Sequence, residues 1–138
     1  MRTLILLLTV CGLNAMSAAV EASDKKEPDK VAREITDRTS EAIQKQVDFN
    51  KEQLLLFKWS GSGRDKLELR VEEEKAGAVV VFKLTPGLTR DLRPHVRLYA
   101  VANDAAWRFA EKPGRLKDPA KITRADDLPM HFPAAKEK

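Results

Sequence analysis

Between residues 53 and 109 apolar side chains return at every second position, the period of an extended strand. Leu55, Phe57 and Trp59 fall on one face of 53–60 and Leu54 and Leu56 on the other, which predicts a strand covered on both sides. In 66–73, Leu67, Leu69 and Val71 alternate with Lys66, Glu68, Arg70 and Glu72, as in a strand with one wet face. Residues 78–84 are dense in β-branched side chains and predict a central strand. In 95–102, Val96, Leu98 and Ala100 lie opposite His95, Arg97, Tyr99 and Val101, and 106–109 supply a fifth strand. Turn signals at 61–65, 76–77, 86–87 and 103–104 separate these runs. Connections this short do not carry the usual parallel crossover. The expected fold is mainly β: a small antiparallel β-sandwich or partly open barrel of about five strands, preceded by one amphipathic helix.

That helix is expected within 23–52. Val31, Ile35, Ala42, Ile43 and Val47 recur at helical spacings, and Asp29 with Arg33, Lys30 with Glu34, Glu34 with Arg38, and Glu41 with Lys45 stand four apart. Pro28 suits a first turn. After 110, prolines at 113, 119, 129 and 133 interrupt a charged, weakly apolar stretch, so 111–138 is expected to be a flexible tail and 53–110 the β domain.

The N-terminus changes the compartment. Arg2 precedes an apolar run over 4–13 and small residues over 15–22, the layout of an export signal, with cleavage expected after Ala22 and Ala19 as the alternative site. The run is shorter than the roughly 20 apolar residues of a membrane span, and none follows, so no integral membrane segment is expected after cleavage. Cys11, the single cysteine, sits within the run after Val10 rather than at a lipoprotein position. The mature chain is then cysteine-free and exported, periplasmic or extracellular, with no disulfide to staple it.

The 138 residues are 33% charged and 43% hydrophobic, the make-up of a one-domain soluble chain. Removing 1–22 takes out one basic residue, Arg2, and one acidic residue, Glu21, and leaves the formal balance at +4. The two signs are interspersed rather than gathered into a basic stripe, which argues against a nucleic-acid partner.

Several chemistries lack their residues. The Gly61-Ser62-Gly63 run has neither the Gly-Lys-Ser/Thr ending of a phosphate loop nor the Gly-x-Ser-x-Gly elbow of a hydrolase, and reads instead as a tight hairpin loop between the strands at 53–60 and 66–73. Two histidines, His95 and His131, and no mature cysteine offer no metal set, and no cofactor is expected. Glu72, Glu73 and Glu74 are best read as a solvated strand edge, and Trp59 and Trp107 as core residues. The constellation that stands out is 89–95, with Arg90, Arg93 and His95 in one connection, followed by Arg97 and Tyr99 on a strand face. Guanidinium groups suit carboxylate, sulfate or phosphate, and loops on rigid β scaffolds commonly bear binding residues.

The stretch from Leu54 to Phe109, especially 57–67 and 84–95, resembles small uncharacterised exported bacterial proteins. The resemblance implies export and carries over no activity. A second, lesser likeness is to chagasin-type cysteine-protease inhibitors. It stops at the dipeptide Arg93-Pro94, since their Asn-Pro-Thr-Thr-Gly loop is absent. The expected function is therefore that of an exported, non-enzymatic β domain that engages a protein or envelope component through the 86–95 loop. The alternative is a small anion- or glycan-binding module using Arg90, Arg93, His95, Arg97 and Tyr99.

Overall fold

The computed structural model describes residues 27–111 and 114–129. The expected signal, Cys11 and His131 lie outside them. Helix α1 (Pro28–Val31) leads into strand β1 (Ala32–Glu34) and helix α2 (Ser40–Gln46). Strands β2 (Glu52–Ser62), β3 (Lys66–Glu74), β4 (Gly77–Thr85), β5 (Leu92–Ala102) and β6 (Ala106–Phe109) follow, then β7 (Ala120–Ile122) and a 3-10 turn, Ala125–Asp127.

The strands form two sheets, ordered β1-β5-β2-β7 and β3-β4-β6, so the fold is a small β-sandwich and not a closed barrel. The faces follow the alternation in the sequence. Leu55, Phe57, Trp59, Tyr99 and Val101 from the first sheet meet Leu67, Val80 and Phe82 from the second in one buried cluster. Phe57 stands at its centre, with ring centroids 4.7 Å from Phe82 and 5.7 Å from Tyr99. Leu54, Leu56, Val96, Leu98 and Ala100 point to the opposite side of the four-stranded sheet and form a second cluster with Ile35, Ile43, Val47 and Ile122. The molecule is thus three-layered, with the N-terminal segment as its outermost cover.

Two expectations about strand connections are corrected. The turn at 61–65 does not close a hairpin: β2 and β3 belong to different sheets. Strands β4 and β6 pair in parallel, from Val79 opposite Ala106 to Phe82 opposite Phe109. The chain leaves β4, runs through β5 in the other sheet and returns, and two reversals restore the original direction without a long crossover. Only β3 and β4 form the expected tight hairpin. There Gly77 takes φ +124°, a conformation that L side chains rarely adopt.

The single long helix is also corrected. Ala32–Glu34 is extended and pairs antiparallel with Tyr99–Val101, giving β5 a second neighbour. The apolar stripe divides: Val31 and Ala32 enter the core between the sheets, whereas Ile35, Ile43 and Val47 cover the outer face. The expected same-helix partners diverge with it. Arg33 pairs with Glu52, its Nη2 donating to Oε2 at 3.0 Å, and Glu34 lies 3.6 Å from Arg97. Helix α2 starts where Thr39 Oγ1 accepts the Ala42 amide, an N-cap contact.

Residues 114–129 are not a free tail. Leu116 is buried between the sheets, and Ala120–Ile122 adds an edge strand against Leu54–Leu56.

Candidate functional site

At one end of the sandwich, the close of β2, the 61–65 turn and the 86–91 connection interlock. Asp65 is the pivot. Its side chain is buried, with Oδ2 accepting from Trp59 Nε1 at 3.2 Å and Oδ1 from the Gly87 amide at 2.7 Å. One carboxylate thereby ties the β2 face, its own turn and the second loop together.

Ser62 makes the second tie. Its hydroxyl bonds to the Thr89 hydroxyl and accepts from the Thr89 amide at 3.2 Å and the Arg64 amide at 3.3 Å. Asp91 makes the third, accepting from the Gly63 amide at 3.2 Å and pairing with Arg93 Nε at 2.6 Å. Hydrogen bonding from Thr89 leads the causes that hold the Asp91 carboxyl below its ordinary range, followed by the Gly63 amide, with the Arg93 charge a lesser contribution. Gly87 is where the loops come closest. A Cβ there would stand 2.6 Å from both the Arg64 carbonyl carbon and the Ser62 hydroxyl, too near for any side chain.

This arrangement decides the fate of each expected site residue. Arg93 is partnered by Asp91 and stays half exposed. Arg90 is exposed on the loop. His95 stacks on Trp59 with ring centroids 4.8 Å apart and planes 13° from parallel, and its Nε2 lies 2.7 Å from the Ser62 carbonyl oxygen. Arg97 is further along β5, beside Glu34. Tyr99 is 2% exposed and donates its hydroxyl to the Leu67 carbonyl at 3.0 Å. Burial, the largest cause, pushes its phenol well above the ordinary range, and the Glu34 charge adds to this. The five residues do not converge on one pocket: alternation sets Arg93, His95, Arg97 and Tyr99 on one face of β5, but the strand's rise spreads them from the loop end into the core.

A serine, a histidine and two aspartates at one end bring a hydrolytic triad to mind, yet the partners are wrong for it. His95 meets the carbonyl of Ser62 and not its hydroxyl, while Asp65 engages Trp59. A triad needs the imidazole on the nucleophile's oxygen and a carboxylate behind the imidazole. Among the described residues, no group of three or more His, Cys, Asp or Glu side chains is placed to hold a metal ion.

The polar knot presents two large apolar side chains to water. Leu88 is 98% exposed and Leu92 78% exposed. Neither was singled out from the sequence. The signal available there was two leucines between Pro86 and Pro94 that fit no strand alternation, among Arg90, Asp91 and Arg93.

No family model, no curated protein and no solved structure matches this chain. The likeness to small exported proteins therefore rests on the quoted stretches alone.

Proposed function

We propose that the protein is an exported, non-enzymatic β domain that docks onto a protein partner of the cell envelope through its 86–95 loop. The observation that carries this is the pair Leu88 and Leu92, solvated on the 86–91 connection and at the first residue of β5, where Asp65, Ser62 and Asp91 tie the chain down. Burying one leucine side chain is worth about 1.5–3 kcal/mol, so a partner that covers both gains appreciable affinity. The knot lowers the entropy that docking would otherwise cost by fixing the loop beforehand. Arg64, Arg90 and Arg93 accompany the two leucines in the loop cluster, and the matching surface is an apolar pocket rimmed by carboxylates. Export rests on the signal pattern of 1–22, and the expected mature N-terminus is Ser23.

The test is photo-crosslinking from position 88 or 92 in the producing cells, with position 75 in the β3–β4 turn as control. The expected result is one dominant adduct from 88 and 92, absent from 75 and lost when the other leucine is changed to Asp. Both Leu→Asp variants should melt within about 0.5 kcal/mol of the parent, as surface changes do. Equal labelling from all three positions would overturn the docking surface, and an intact N-terminus at Met1 in the recovered protein would overturn export.

A further inference from the structure

Beside the stacked Trp59–His95 pair runs a second feature, independent of the leucine loop: a groove of about 460 Å³ whose charged lining residues, among the described residues, are Lys58, Arg115 and Lys117, with no carboxylate. Its origin is topological. Among the described residues, β7 covers β2 at Leu54–Leu56 and no strand neighbours the β2 edge beyond Leu56 on that side. The chain before β7 lies alongside, anchored by Leu116, which is 5% exposed within the inter-sheet core. With Leu116 turned inward, its neighbours Arg115 and Lys117 are left exposed at the groove, facing Lys58 on β2.

What sets this cluster apart is that its three cations share one groove. Arg33, Arg93, Arg97 and Arg108 each have a carboxylate partner in Glu52, Asp91, Glu34 and Glu72. Among the described residues, none of Lys58, Arg115 and Lys117 is in an ion pair. Three cations on two separately anchored segments attract anions, and a groove with room for more than one phosphate group favours a multivalent anion over a single ion.

We propose that this groove is a binding site for ligands bearing two or more clustered phosphate or sulfate groups. Arg115 supplies a planar fork for two oxygens of one group, and Lys58 and Lys117 act as point charges for its neighbour. The stacked rings form the wall between them.

The test is an NMR titration of the full chain with tripolyphosphate, with orthophosphate as the single-anion arm and a sulfated oligosaccharide as the polymer arm. Saturable shifts are expected at Lys58, Arg115, Lys117 and the Trp59 indole, with the Trp107 indole unmoved, and binding should weaken as salt is raised. Lys58→Ala and Arg115→Ala are each expected to weaken tripolyphosphate binding about fivefold, as loss of one exposed ionic contact does, and Lys75→Ala to leave it unchanged. Whichever of tripolyphosphate and the oligosaccharide binds more tightly identifies the source of the oxyanions. The proposal is overturned if neither gives saturable shifts at the groove, if orthophosphate binds as tightly as both, or if the Lys58→Ala/Arg115→Ala double variant binds as well as the parent. Crosslinking from positions 88 and 92 does not depend on any of these results.

Discussion

Asp65 shows how much one side chain organises here. A buried carboxylate is tolerable when donors converge on it, and the Trp59 indole and the Gly87 amide do so. Asp65→Ala removes the acceptor and leaves both donors without it, which should cost about 2–4 kcal/mol in urea unfolding. Asp65→Asn, which keeps one carbonyl oxygen, should cost less. Equal losses in the two variants would show that the hydrogen bonds are not what holds the loops. Tyr99 supplies a pH test, because it is the single tyrosine of the chain and its ionisation can be followed by phenolate absorbance. Its folded-state pKa is raised by burial, whereas an unfolded tyrosine ionises near about 10. Below that pH both states are protonated and the contribution of Tyr99 to stability is complete. Above it the unfolded chain ionises first and the native state loses stability. Phenolate should therefore appear together with loss of the fold on an alkaline ramp, and a phenolate signal near pH 10 from a still-folded domain would contradict the burial.

The N-terminal segment shows where periodicity misleads. The helical spacing from Val31 to Val47 is genuine, yet a narrow stripe cannot say whether its members face one surface or two. Val31 and Ile35 are four residues apart and nevertheless enter different cores, because an unpaired edge of β5 accepts Ala32–Glu34 as a strand. Backbone groups on a sheet edge need partners, and that demand overrides a weak local helical preference. What remains helical is the single turn of α1 and α2, the latter seven residues long and too short to persist in water without tertiary support. The support of α2 is Ile43, fully buried against Leu54, Leu98 and their neighbours. Ile43→Ala should cost about 2–5 kcal/mol, measured by thermal or denaturant unfolding. A loss below about 1 kcal/mol would mean that the helix is an optional cover. The strands behaved otherwise: all five expected in 53–109 are present, and the inward faces of β2, β3 and β5 are those the alternation gave.

Across the whole molecule, the sandwich keeps two different surfaces near the end where β2 closes and β5 begins. The leucine loop sits on the polar knot, and the cationic groove lies where β7 stops short of covering β2. Both lie partly within the 89–99 stretch that the sequence singled out, through Leu92 in one and through Pro94 and His95 in the other. The expected ligand set dispersed because residues two apart on a strand move progressively from loop to core. The sheet assignments were equally illegible, since each strand records only which side of it is covered, not which strand covers it.

The amino-acid order alone set the β class, the five strands between 53 and 109 and the division of their inward from outward side chains, because those depend on short-range alternation and turn residues. Tertiary structure decided the parallel β4–β6 pair, the conversion of a helical stripe into a strand and a short helix, and the meeting of Lys58 with Arg115 and Lys117. Each of these joins residues far apart in the chain, and such pairings are chosen by burial and hydrogen-bond satisfaction over the whole fold.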